Sequence, residues 1–357
     1  MVTKVLTKYL EAWLSSPYVG RRRKALKLLG KYAMRGRYDR RRIFERAKDA
    51  LNDESWKIRA VAASIIADIA TVETSLIGEA FNILYNQLKK EKHPNVKGNI
   101  LRGLSKILNK KHIDSVEELL KLGLELLRFP NGDVRHGSIQ LLSQLVIRLG
   151  RNIDTVLDSF DSIIHELPPL LKREILRSMR EIYIKYPNAS VDTLRKSTIR
   201  LLNDSSHLVL EEALYNLSLL IRDRRIPLGN EIIMMIRRKL RSEKAAVRMA
   251  ALDTIDSILT IDPKYADAYL DIVGREILLK EKNRRVKIKA LELLVRHIDR
   301  IPRDLIFRYK IPRILDILDL NTIPKNDELK TIKELARILL EHKLGYDYAS
   351  RVRLRVT

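Results

Sequence analysis

The side chains best able to do chemistry in this chain are its arginines and lysines. In the stretch PYVGRRRKALKLLGKYAMRGRYDRRRIF (17–44), the residues from Val19 to Arg42 include eleven Lys or Arg against one acid, Asp39, a net +10 in 24 residues. Arg21, Arg22, Arg23 and Lys24 form one group; Arg35, Arg37, Arg40, Arg41 and Arg42 form another, with Tyr32 and Tyr38 interleaved. Guanidinium groups grip phosphate and carboxylate oxygens bidentately, and tyrosine rings stack on bases or cover a core. For the arginines the pattern favours anion binding; for the two tyrosines it favours packing. Two further runs repeat the theme. Residues 222–248 carry +6 and include Arg237, Arg238, Lys239 and Arg241; residues 275–289 carry +5 and include Arg284, Arg285, Lys287 and Lys289. Residues 296–313 add +4 and the tail 348–357 adds +3, whereas 113–167 is acidic at −4. Cationic ends around an acidic middle suit contact with a polyanion at two places. The acidic middle repeats offer a second surface, for a protein partner.

Other chemistries lack their residues. There is no cysteine, hence no disulfide framework and no thiolate site. Seven histidines (93, 112, 136, 165, 207, 297 and 342) are scattered with no His-x-x-x-His pair. Gly30-Lys31 lacks both the earlier glycine and the following Ser or Thr of a phosphate-binding loop, and falls in a helical pattern. Neither a catalytic constellation nor a cofactor is expected.

The 357 residues carry a formal charge of +24 and are 45% hydrophobic and 32% charged, enough apolar content for a core. Aromatics are 6%, with 13 Gly and 11 Pro, which favours helices over sheets. Only three Gln occur among abundant Lys, Arg and Glu, a bias that fits a heat-adapted source. No signal peptide or apolar run of the ~20 residues needed for a membrane span is visible, so a cytoplasmic protein is expected, nucleoid- or ribosome-associated if it binds nucleic acid.

The elements that must position these cations announce themselves by repetition. In KAAVRMAALDTIDSIL, Val247 is followed by a basic residue, by Ala251-Leu252 and by Ile255, one apolar stripe of a helix. The same frame begins at Ile58, Val96, Val134, Leu171, Val209, Val247 and Val286, at intervals of 38, 38, 37, 38, 38 and 39 residues. A weaker copy starts at Arg21 and a last one at Ile332, beyond a stretch at about 303–327 that breaks the period. Between copies lies a second helical pattern, punctuated by Pro94-Asn95, Pro130-Asn131-Gly132-Asp133, Pro168-Pro169 and Asp262-Pro263. Each unit is therefore a helical hairpin that cannot bury both faces alone, and its neighbours must stack on it.

The chain resembles the HEAT-repeat family. The resemblance rests on the Val-Arg or Val-Lys opening of the second helix, its Ala-Leu and Ile/Leu positions, and an acid six residues earlier: Asp53 before Arg59, Glu91 before Lys97, Glu281 before Lys287. It implies an all-α fold over 1–357: one right-handed superhelical solenoid of about nine antiparallel hairpins. It also implies that each basic residue pairs with the acid preceding it, Asp53 with Arg59. HEAT-like hydroxylases need several His-Glu dipeptides where this chain has only His165-Glu166, and HEAT-like glycosylases lean on cleft-lining aromatics and an acid, whereas the only tryptophans here, Trp13 and Trp56, sit where packing explains them. Trp56 reads as a helix-entry staple. The expectation is a non-enzymatic scaffold that binds nucleic acid or a ribonucleoprotein through phosphate contacts, largely independent of sequence. The alternative is an adaptor whose basic surface engages an acidic protein.

Overall fold

In the computed structural model the described residues are 2–108, 116–278 and 281–300, with 331, 334, 335 and 338. All regular structure among them is helical. The helices are α1 (Val2–Leu14), α2 (Val19–Met34), α3 (Arg40–Ala50), α4 (Trp56–Val72), α5 (Ile77–Lys90), α6 (Pro94–Ile107), α7 (Val116–Leu127) and α8 (Gly132–Leu149). They continue as α9 (Ile153–Ile163), α10 (Pro169–Lys185), α11 (Pro187–Leu201), α12 (His207–Arg222), α13 (Asn230–Lys239), α14 (Ala245–Ile261), α15 (Ala266–Ile272) and α16 (Arg284–Arg296). These make eight helix–turn–helix units. The irregular stretch 303–327, the copy at Ile332 and the tail 348–357 lie outside the described residues, as does most of the basic run 296–313.

The repeat frame maps onto structure without slippage. Each frame residue from Ile58 to Val286 is the third residue of its even-numbered helix, and all seven are buried. Local chemistry starts these helices. Asn131 accepts hydrogen bonds from the Asp133 and Val134 amides, Asn283 from those of Arg285 and Val286, and Pro94 and Pro169 occupy first-turn positions where no amide donor is needed.

The chain forms two compact units, 1–193 and 194–357, with the boundary inside α11. In the first unit the even-numbered helices form one layer: α2 packs on α4, α4 on α6, α6 on α8 and α8 on α10. The odd-numbered α1, α3, α5 and α7 cover this layer, each against its own successor. Small residues set the spacing of the layer. Ala60, Ala62, Ala63 and Ala67 of α4 are buried, and Gly98 of α6 lies against Gly137 of α8 so closely that a methyl group on Gly137 would stand 2.8 Å from the Gly98 carbonyl oxygen. Each aliphatic side chain removed from water in this layer contributes about 1.5–3 kcal/mol. In the second unit α12 packs on α14 and α14 on α16, with Val209, Val247 and Val286 buried between them.

Candidate functional site

The structure divides the cations of the opening stretch into two populations. Arg22 belongs to the fold. Its Nε and Nη2 donate to the Asp53 carboxylate at 2.9 and 3.0 Å, while Nη1 donates to the backbone carbonyls of Ser16 and Pro17 at 2.9 and 3.1 Å. Arg40 donates to the Ala33 carbonyl and faces Glu73 at 3.7 Å; Arg41 pairs with Glu45 at 2.8 Å and Glu79 at 2.9 Å; Arg42 pairs with Glu11 at 2.7 Å. Tyr38 is half-buried and donates to the same Glu11; burial first, then that bond, pushes its hydroxyl up to about 12. The cluster around 40–42 is thus a set of struts from α3 to its neighbours.

The repeat arginines show how the struts are built. Arg59 places Nη1 on the Asp53 and Glu54 carbonyls and its Nε/Nη2 fork on Glu91, at 2.9 and 3.0 Å. Arg248 does the same with Ser242, Glu243 and Glu281. This corrects the expected pairing of Arg59 with the carboxylate of Asp53. The position six residues before the arginine supplies only its carbonyl, which explains why Phe129 serves Arg135 and Ser242 serves Arg248 with no acid there. The acid instead receives the arginine of the preceding unit: Arg22 to Asp53, Arg59 to Glu91, Arg248 to Glu281. Where Phe129 replaces that acid, Lys97 lies over its ring, 5.5 Å from the centroid. Burial acts to raise the Glu91 carboxyl pKa, but the hydrogen bonds from Arg59, the His93 amide and Gln87 outweigh it and hold the group at about 2. Glu281 is lowered in the same way, its burial outweighed by Arg248 and the Asn283 amide. Because Arg22 is half-buried in this lattice and Arg41 is exposed, R22A is expected to cost about 1–2 kcal/mol in denaturant unfolding and R41A less than about 0.5 kcal/mol.

The other population is uncommitted. α2 has no acid. Its Arg23, Lys24, Lys27 and Lys31 are exposed, as are Arg35 at its C-terminus and Arg37 beyond Gly36, and none of the six has an acidic partner among the described residues. Arg21 leans on Trp13 and Tyr18, 6.0 and 5.1 Å from their ring centroids. Arg23, Lys27 and Lys31, one helical turn apart, border a groove of about 510 Å³ on the even-helix layer of α2, α4 and α6. Met34, Val61 and Ile65 give it an apolar floor; Trp56, Lys57, Ser64, Asn95 and Asn99 line its α4 and α6 sides, together with two carboxylates, Asp133 of α8 and Asp68 of α4, the latter already paired with Lys106 at 2.7 Å. Trp56 opens α4 and stacks on His93 with ring centroids 4.3 Å apart, so it is half-buried support for the rim as well as a helix-entry residue. Lys27, Lys31 and Lys57 were not among the sequence candidates, yet the four-residue spacing from Arg23 through Lys27 to Lys31 was there to be read.

Of the eight later candidates, Arg241, Arg285 and Lys289 are engaged. Arg237, Arg238 and Lys239 sit in the last turn of α13, where cations oppose the negative helix end. Lys239 is half-buried, and burial, then Arg238, lowers its pKa. Arg241 and Arg285 have partners, and Lys289 pairs with Asp253 at 2.7 Å. Arg284 is exposed at the start of α16 and Lys287 is half-buried one turn on. Among the described residues no three His, Asp or Glu converge as a metal-binding group, and no helix is long and apolar enough to cross a membrane.

Comparison with known proteins agrees with this architecture. Among solved structures, yeast importin-beta (Kap95p) matches with a TM-score of 0.62 and 17% identity over 95% of this chain and 45% of that one. A Kap95:Nup1 complex matches at 0.64 and 14% over 95% and 46%, and an engineered protein at 0.54 and 15% over 94% and 87%. The karyopherin Kap121p bound to Pho4p matches at 0.59 and 14% over 95% and 36%. The chain spans less than half the length of these karyopherins, and at such identities the likeness is one of fold: an all-α HEAT-repeat solenoid. No curated protein matches it. The profile of the adaptin N-terminal region matches residues 22–236, more than half of the chain, from the arginine that opens the strut series to the last helices before α14. The chain is a HEAT-repeat scaffold, not an enzyme, and belongs to the adaptin N-terminal region family.

Proposed function

We propose that this scaffold engages an acidic protein partner through the cation-lined groove of α2, α4 and α6. One observation carries the reading. Arg23, Lys27 and Lys31 are left without carboxylates in a fold that supplies one or two to each of Arg22, Arg40, Arg41 and Arg42. The groove holds four cations, Lys57 included, against two carboxylates, of which Asp68 is held by Lys106, and this net positive lining above an apolar floor is complementary to a surface combining carboxylates with aliphatic groups. The family and the shared fold support a protein ligand, since the matching karyopherin structures include complexes with Nup1 and Pho4p. Nucleic acid, the first expectation from composition, fits less well, because Arg22 and Arg40–Arg42 are already engaged and the groove floor is apolar.

The two ligand classes separate in a salt series. Fluorescence anisotropy with a labelled polyglutamate of about 20 residues and with duplex DNA and RNA of equal charge is expected to show tighter binding of the peptide near 0.15 M salt. Tighter binding of the duplexes, with a log–log salt slope reporting several displaced counterions, would overturn the protein-partner reading.

A further inference from the structure

This inference rests on the reading above and specifies its ligand. We infer that the groove seats an amphipathic acidic α-helix of the partner, crossing α2, with carboxylates one turn apart paired to Arg23, Lys27 and Lys31 and an adjacent aliphatic stripe on Met34 and Val61.

Three observations converge. Arg23, Lys27 and Lys31 succeed one another every four residues, about 6 Å apart along the axis at 1.5 Å per residue. Glutamates at i, i+4 and i+8 of a second helix have the same rise and the same slant to their axis, so the two rows face each other when the helices cross at about −50°. Next, the floor is apolar and open beside the cations: Met34 is 36% exposed and Val61 is half-buried. A ligand of carboxylates alone would leave that floor unused.

The third observation concerns backbone polar groups. An extended segment would bring unpaired amides and carbonyls into the groove, each needing a partner. Two of the groove's polar side chains, Ser64 and Asn99, are already engaged locally. Ser64 donates to the Asn99 Oδ1 at 3.3 Å, Arg102 donates to the same oxygen at 3.1 Å, and the Asn99 amide donates to the Asn95 carbonyl at 2.8 Å. A helix satisfies its own main chain and asks for no such donors, while the small Ala60 and Ser64 of α4 let it settle close to the layer.

The test compares peptides of one composition. A labelled probe with Glu at i, i+4 and i+8 and Leu at i+1 and i+5 is set against its scramble, in which Glu and Leu share every face, and against polyglutamate of equal charge. Anisotropy against the full chain is expected to show the patterned probe binding at least about tenfold tighter than either, with a gain of helical circular dichroism on binding. K27E/K31E should weaken the patterned probe by at least about tenfold, whereas R128E/R151E, equal in charge change and away from the groove, should leave it within about twofold. The exposed positions of all four residues make these variants foldable, and unchanged thermal melting confirms it. If the scramble and polyglutamate bind as well as the patterned probe and all three lose affinity in K27E/K31E, the helical ligand is wrong while the acidic-partner reading stands. If duplex DNA outcompetes every peptide, both fall.

Discussion

Replacing Glu91 by alanine is expected to destabilise the first unit by about 3–5 kcal/mol in denaturant unfolding. The Glu91 side chain is only 3% exposed, and it is the meeting point of five donors. Two come from Arg59, two from the Lys92 and His93 amides and one from Gln87. Truncation leaves the Nε/Nη2 fork of Arg59 facing a cavity and strips the turn before α6 of its acceptor, so the penalty is that of unmet buried donors rather than of one ion pair. Glu117, in the first turn of α7, is the control: E117A should change stability by less than about 0.5 kcal/mol.

The same residue predicts an acid limb. The folded pKa of about 2 lies below the ordinary carboxylate value of 4.5, so the native state favours the ionised form. Its stabilisation is complete above pH 4.5 and is lost as pH falls towards 2. The wild type should therefore lose about 2–3 kcal/mol across that window from Glu91. E91A should show a shallower acid limb over the same interval, and an equally steep one would mean that other carboxylates govern it.

The second large effect is steric. Gly98→Val should destabilise the protein by about 3 kcal/mol or more, because a Cβ on Gly98 would stand 2.7 Å from the Asp133 carbonyl oxygen and 2.9 Å from its carbon. Those atoms are backbone of α8 and cannot swing aside, so α6 and α8 must part. Alanine makes the sharper test of sign. In an open helical position Gly→Ala stabilises by about 0.5–1 kcal/mol, which is the expectation for Gly20 of α2, with nothing within 4 Å of its Cβ position. Gly98→Ala should instead destabilise by about 1–3 kcal/mol. A stabilising Gly98→Ala would refute the close approach of the two helices.

Much of this architecture was legible in the sequence because it is local and repeated. The frame from Ile58 to Val286 marks one position of one helix in each unit, and the burial of a β-branched or leucine side chain there needs only its own hairpin and the next. Periodicity therefore predicted the all-α HEAT-repeat fold, the phase of seven helices and the place of their turns. Partnership was not legible. Asp53 lies six residues from Arg59 and 31 from Arg22, and spacing along the chain favoured the nearer arginine; stacking brings the farther one to its carboxylate while Arg59 reaches on to Glu91. The same holds for the cations that prompted a functional reading. Arg22, Arg23, Arg40 and Arg41 are equivalent as letters, but only packing turns Arg22, Arg40 and Arg41 towards acids of neighbouring helices and leaves Arg23, with Lys27 and Lys31, along an open groove. Composition determined the formal charge of +24. Which cations stay outside ion pairs was decided by the tertiary structure, because stacking brings an acid of another helix to some of them and not to others.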